Sequence, residues 1–314
     1  MTQLRGGQGL TPDCRAVIRS YPFLLTPCYA RLIREPADRD PIALQCIPSA
    51  AEIAADDGGV PDPFGDRRAM PAPGVVHRFP DRVLLVATTR CAVRCRHCTR
   101  KNILSGLPSL EEPENLDGAL AYIRSHHEIR EVLVSGGDPL LLETAVVDRM
   151  LARLRRIPHV EVLRLGTRVP VVLPMRVDDE LAAALAMHRP LWVNTHFNHP
   201  RELTREAVAA CERFVARGIP VSNQAVLLRG VNDDPATMRR LCAALQRNSI
   251  RPYYVFQCDP VRGVGHFRVD PERAARIEQH LLATLGGLAV PRFVVDVPGK
   301  PAKMPLRDVM GGAA

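Results

Sequence analysis

Three cysteines stand at C-x3-C-x2-C in "TTRCAVRCRHCTRK", residues 88–101: Cys91, Cys95 and Cys98, with five basic residues around them. The other cysteines, Cys14, Cys28, Cys46, Cys211, Cys242 and Cys258, stand alone, and the total of nine is odd. Clustered thiols in a long chain without a disulfide pattern speak for metal binding or catalysis. The scattered ones read as buried thiols. A structural zinc takes four ligands, usually as two pairs. No second pair exists here, and His97 offers a fourth ligand only at a cramped spacing. Three thiolates on a cubic four-iron cluster leave one iron without a protein ligand. A small molecule could bind that iron, so the missing fourth ligand would itself mark the reaction site.

The elements that must position these thiols show as a rhythm from residue 82 onward. Short runs rich in β-branched residues alternate with longer amphipathic segments. The runs at 82–88, 131–137, 160–166, 191–197, 219–228 and 251–258 predict strands. The segments at about 115–126, 143–156, 178–188, 201–217, 235–248 and 271–286 predict helices. The last is well marked, with Asp270 as its cap, Pro271 in first position and Gly286 where it should stop. In the N-terminal part, "DCRAVIRSYPFLL" and "DPIALQCIPSAAEIAA" predict short helices before a Pro/Gly-rich connection.

Strand–helix alternation implies parallel strands with helices outside. Six units are fewer than the eight of a closed barrel, so the expected fold is α/β, a partial (β/α)6 TIM-like barrel. The expected division is a helical and loop extension over 1–76, the partial barrel over 77–290, and a C-terminal loop and tail over 291–314. In such folds chemistry collects at the C-terminal ends of the strands. The cysteines follow the first run, "SGGDP" the second and "GTR" the third; "THFNH" ends the fourth, "NQ" lies in the fifth and "QCDP" ends the sixth.

The cysteine spacing in this context resembles the radical S-adenosylmethionine (SAM) superfamily, where the open iron of a [4Fe-4S] cluster binds SAM. "VSGGDP" (134–139) looks like that superfamily's glycine-rich stretch, and Gly136 and Gly137, followed by Asp138, would let the backbone approach SAM closely. A wider set of blocks is similar to the lysine 2,3-aminomutase family over about residues 40–305: "HRFPDRVLLVATTRCAVRCRHCTRK", "GTRVPVVLPMR", "NTHFNHPRELTREAV", "NQAVLLRGVND", "RPYYVFQCDP" and "FVVDVPGKPAK". The resemblance implies an isomerase that moves the amino group of L-lysine from the α to the β carbon. SAM would be the source of a 5′-deoxyadenosyl radical, and pyridoxal 5′-phosphate (PLP) would carry the amine.

Residue by residue, the resemblance implies a cluster on Cys91, Cys95 and Cys98 and a PLP Schiff base on Lys303. It implies phosphate contacts from Arg78 and Arg82, and a substrate carboxylate held by Arg100. Asp259 and Asp296 would hold the distal ammonium, and His97, His196 and Gln224 match polar positions near SAM. Lys303 is preferred to Lys300 because the family's lysine lies five residues after a loop proline and seven after an aspartate. From Pro298 and Asp296 both counts reach Lys303. The chemistry agrees: PLP needs a lysine, arginine forks suit phosphate and carboxylate, and two carboxylates would repel the side chain of glutamate.

The chain also departs from the family. "GKPAK" replaces a loop that is almost all glycine, Asp234 stands where a zinc-binding cysteine is usual, and the last residue follows shortly after Lys303. A short form without the C-terminal zinc segment is therefore expected, which puts the family's tetramer in doubt and leaves a homodimer open. An arginine 2,3-aminomutase and a β-lysine-forming enzyme serving elongation factor P remain alternatives within the resemblance. A zinc- or nucleic-acid-binding module is the alternative outside it. The net charge of +8 is spread along the 314 residues without a lysine-rich tract, which argues against nucleic acid. No apolar run reaches membrane-spanning length, and "MTQLRGGQGL" lacks the apolar core of a secretory signal. A cytoplasmic enzyme is expected, its partners an amino acid and an electron donor such as flavodoxin or ferredoxin.

Overall fold

The computed structural model describes residues 12–54, 58–297, 300 and 302–311. Nine strands form one sheet in chain order: β1 (Val75–Phe79), β2 (Arg82–Thr88), β3 (Glu131–Gly136), β4 (Val162–Gly166), β5 (Leu191–Thr195), β6 (Val221–Leu227), β7 (Ile250–Gln257), β8 (Arg292–Val295) and β9 (Met304–Pro305). β2 to β8 run parallel. β1 and β9 pair antiparallel at the two edges, and among the described residues the sheet does not close into a barrel. The six expected strands are all present. The count is corrected by a seventh parallel strand, β8, and by the two edge strands. β8 is four residues long and β9 two, too short to register as a hydrophobic rhythm.

Along the first parallel strands one face is aliphatic and buried, while Leu84, Leu133, Arg164 and Trp192 on the other are half-buried. Val83, Leu85, Val132, Val134, Leu163, Leu165, Leu191 and Val193 are all buried in one core. The expected helices lie between them at Pro113–Ser125, Thr144–Arg155, Asp179–Ala186, Arg205–Val215, Pro235–Arg247 and Pro271–Thr284. The starts of the last four are fixed by side-chain caps: Asp178, Thr204, Asp234 and Asp270 each accept a first-turn backbone N–H. Asp234 thus has a local role as a helix cap.

The N-terminal segment is less helical than its apolar spacing predicts. The stretch over 40–54 reduces to Ala43–Cys46 and a single 3-10 turn at Ala50–Glu52, because Pro41 and Pro48 remove backbone donors on either side. Buried Asp40 replaces the missing helical bonds, accepting from the backbone of Arg34, Glu35, Ile42 and Ala43. Tyr29, Ile42 and Ala43 belong to the same core as the strands. All nine thiols are free; of the six scattered ones Cys14 and Cys28 are half-buried rather than buried. Among the described residues no helix is long and apolar enough to cross a membrane.

Candidate active site

The cysteine loop after β2 borders a cavity of about 220 Å³, walled also by the loops after β3, β4 and β5. Gly136, Gly137, Asp138, Arg168 and His196 come from those loops. The two glycines let the β3 loop lie directly on the cysteine loop. Gly137 N–H donates to Thr88 O at 2.7 Å and Asp138 N–H to Arg90 O at 2.8 Å. A Cβ on Gly137 would fall 2.0 Å from Arg90 O, and one on Gly136, at φ +103°, would fall 2.6 Å from Thr88 O. Their first service is therefore to bring two backbones together, and the face left over lines the cavity.

Asp138 is wholly engaged by protein. One carboxylate oxygen accepts from Leu140 N–H and the Thr167 hydroxyl at 3.1 and 2.7 Å, the other from Arg168 and Val169 N–H at 2.7 and 3.1 Å. Burial pushes its carboxyl up to about 6, against the pull of these four bonds. Asp138 ties the β3 loop to the β4 loop, and both oxygens face protein donors rather than the cavity.

The thiols of Cys91 and Cys98 are pushed up, first by burial and then by the charge of their neighbouring cysteines. Thiols so placed need nearby positive charge to ionise. Among the described residues no three His, Cys, Asp or Glu side chains converge as a single metal ion requires. A four-iron cluster does not ask this of them, because each thiolate takes its own iron. The three thiols facing one cavity fit such a cluster.

Two buried networks hold this loop. Arg96, 2% exposed, gives Nε to both oxygens of Glu52 at 3.0 Å and Nη1 to Pro22 O at 3.0 Å. Lys101 Nζ meets Glu52 at 2.5 Å and Gly263 O at 2.7 Å. On the other side Arg168 Nη1 donates to Cys95 Sγ at 2.9 Å. His97 is buried edge-on to Phe267 at 6.2 Å, its Nε2 3.4 Å from the Asn198 amide. Burial and the nearby Arg168 charge hold His97 well below its ordinary pKa and lower His196 to about 4, so both are neutral. Gln224 lies on β6, where its backbone hydrogen-bonds His196; it is not among the residues lining the cavity.

Beside the cavity runs a chain of opposite charges. Arg100, from the cysteine loop, gives Nε to buried Asp66 at 2.8 Å. Arg78, on β1, lies 4.0 Å from Asp66 and 2.9 Å from Asp296, just beyond β8. Lys303 Nζ contacts the other Asp296 oxygen at 2.7 Å. Asp259 neighbours this pair; burial, then the charge of Asp296, pushes its carboxyl up to about 7. Phe79 and Phe256 flank Lys303, their centroids 5.5 and 5.2 Å from Nζ. Lys300 is exposed, and Pro298, Gly299 and Pro301 lie outside the described residues.

The structure thus brings together Arg78, Arg100, Asp259, Asp296 and Lys303. Arg82 stands apart, paired with adjacent Asp81 at 2.7 Å and stacked on Phe79 at 4.1 Å. Asp66, Arg168, Glu52 and Phe79 were not picked out from sequence. Arg168 carried a signal, since "GTR" stands at a strand's C-terminal end. Asp66 and Glu52 precede the first strand and carried none.

A three-cysteine loop after the first parallel strand of an open α/β sheet defines a class. Residues 85–242 match the Radical SAM superfamily. The fold is shared with Streptococcus suis SuiB bound to S-adenosylmethionine, at TM-score 0.53 and 14% identity, over 70% of this chain and 51% of that one, about half its length. The L-lysine 2,3-aminomutase of Fusobacterium nucleatum is 44% identical over 94% of this chain and 70% of its own. The glutamate 2,3-aminomutase of Clostridioides difficile is 38% identical over 91% and 68%. The chain belongs to the lysine 2,3-aminomutase family of radical SAM enzymes, an isomerase family.

Proposed function

We propose that this enzyme is a PLP-dependent L-lysine 2,3-aminomutase, forming β-lysine in the cytoplasm with electrons from a flavodoxin- or ferredoxin-type donor. One observation carries the choice of substrate. Asp296, with Asp259 beside it, already grips a primary ammonium, that of Lys303, at 2.7 Å. Two buried acids in one place seek a cation, because each raises the cost of ionising the other. Once Lys303 is engaged by PLP, the acids face the substrate, and a lysine side chain carries the matching group. A glutamate side chain would meet two like charges.

Bound here, a [4Fe-4S] cluster with SAM supplies a hydrogen-abstracting radical, and PLP supplies a carrier for the migrating amine. Cys91, Cys95 and Cys98 would hold the cluster, with Gly136, Gly137, His196 and His97 around SAM. Lys303, flanked by the rings of Phe79 and Phe256, would anchor PLP. Arg78 offers its fork to the phosphate, and Arg82 sits at the outer edge. Asp66 orients Arg100 through Nε, which leaves the terminal nitrogens to the substrate carboxylate. Holding both ends of the amino acid fixes the β carbon against the cavity, and that positioning is the protein's main contribution. Burial around the cysteines keeps water from a reactive radical.

The test is anaerobic reconstitution with iron, sulfide, PLP and a reductant, then incubation with SAM and L-lysine, L-arginine or L-glutamate. Mass spectrometry of the products should show β-lysine. β-Arginine alone would keep the acid pair and change the substrate. Turnover of glutamate alone would overturn the role of Asp259 and Asp296.

A further inference from the structure

From the loop after β4, Arg168 reaches a cysteine of the motif, and it is held as if its position matters. It is 8% exposed, at the end of β4. Nη2 donates to the Tyr29 hydroxyl at 2.9 Å, Gln45 Oε1 at 2.6 Å and Glu202 Oε1 at 2.7 Å. Glu202 is itself pinned by the Tyr29 hydroxyl at 2.6 Å and by the backbone of Asn198 and His199 at 2.5 and 2.8 Å. Asn198 in turn donates to Gln45 at 3.0 Å. Among the described residues Nη1 donates to Cys95 Sγ alone, at 2.9 Å, while Nε has no protein partner. A buried arginine needs one carboxylate to offset its charge, and Glu202 provides it. The network aims the remaining N–H at sulfur.

We infer that Arg168 is a positioning and tuning residue that donates a charge-assisted hydrogen bond to the Cys95 thiolate and thereby raises the reduction potential of the cluster. The inference rests on the cluster at the three cysteines, and not on lysine as substrate. When one electron enters from a low-potential donor, the added negative charge spreads over the sulfurs. An N–H on Cys95 stabilises that reduced state more than the oxidised one, and hydrogen bonds to the sulfurs are among the determinants of such potentials. The effect is strong here because the bond is buried and the donor is charged. Easier reduction makes electron entry possible from a weaker donor.

The test is a redox titration of the reconstituted holoprotein, followed by electron paramagnetic resonance with titanium(III) citrate as reductant and no SAM present. Arg168→Lys keeps a cation against Glu202 but lacks the fork that serves Glu202 and Cys95 together. Arg168→Met with Glu202→Gln removes both charges and avoids a stranded carboxylate that could unfold the protein. Both should keep wild-type iron content and a lower midpoint. At a fixed potential the reduced-to-oxidised ratio should fall about tenfold, ~59 mV for one electron. An unchanged midpoint in both variants overturns the inference. Lost SAM affinity at an unchanged midpoint also overturns it, and moves Arg168 to SAM. Wild-type protein that takes up no four-iron cluster removes the inference together with the cysteine assignment beneath it.

Discussion

The two halves of the site are built on different terms. Around the cysteines, Arg96, Glu52, Lys101, Arg168, Glu202 and Asp138 are almost entirely buried, and each ion has fixed protein partners. Around Lys303 the same residue types are more open: the Lys303 side chain is 25% exposed and Arg78 19%. There the charges answer one another in a row from Arg100 to Lys303. The first arrangement keeps a loop still. In the proposed function the second holds places for charges that a cofactor and a substrate would bring, so its pairs would have to change. A site proposed to move an electron and then an amine would need both.

Breaking the exchangeable half should abolish function with little structural damage. Lys303→Ala should reduce β-lysine to below detection and prevent borohydride from fixing PLP to the chain. Iron content should be unchanged and stability should move by under ~1 kcal/mol, since the pair is partly exposed. Breaking the rigid half should do the reverse. Glu52→Ala leaves Arg96 and Lys101 buried without a counter-charge and should cost about 3–5 kcal/mol in denaturant unfolding. Reconstituted iron should fall with it.

Asp259 sharpens the comparison through pH. Its carboxyl, raised to about 7, is neutral below that pH and charged above it. KM for lysine should therefore fall as pH rises through about 7. Asp259→Asn should flatten that profile and raise KM about tenfold, the worth of one charge-assisted hydrogen bond. In the unliganded protein the sign reverses. A carboxyl raised on folding favours stability at low pH, and this is lost as pH rises through about 7. The asparagine variant should lack that loss. The smallest effect is expected at Arg82, one-third exposed and paired with its neighbour. Arg82→Ala should change stability by under ~1 kcal/mol and weaken PLP less than Arg78→Ala does, measured by PLP absorbance.

Much of this was legible because it is local. β-branched runs and capped helices repeat along the chain, and the cysteine spacing is a motif within one loop. Lys303 could be singled out, as the proposed PLP lysine, by counting from Asp296 against the family's spacing. Asp66 and Glu52 could not, because each acts on a residue more than thirty positions away through a fold that periodicity does not describe. Asp138 was read as a ligand group, and only the structure shows its oxygens turned to Thr167, Arg168, Val169 and Leu140. β8 and β9 were missed because strands of four and two residues carry no period.

The open sheet has a last consequence. β1 and β9 lie at opposite ends of the strand order, yet Arg78 on β1 clasps Asp296 beside β8, and Phe79 on β1 meets Lys303 next to β9. The gap of the unfinished barrel is spanned by side chains and not by a backbone ladder. It is a latch and not a weld: opening it breaks the Arg78–Asp296 ion pair and the Phe79–Lys303 ring contact, and leaves every strand pairing intact. The groups that fasten the latch are the ones proposed to hold PLP and lysine, so loading the enzyme would exchange the seam's own contacts for contacts to what it binds.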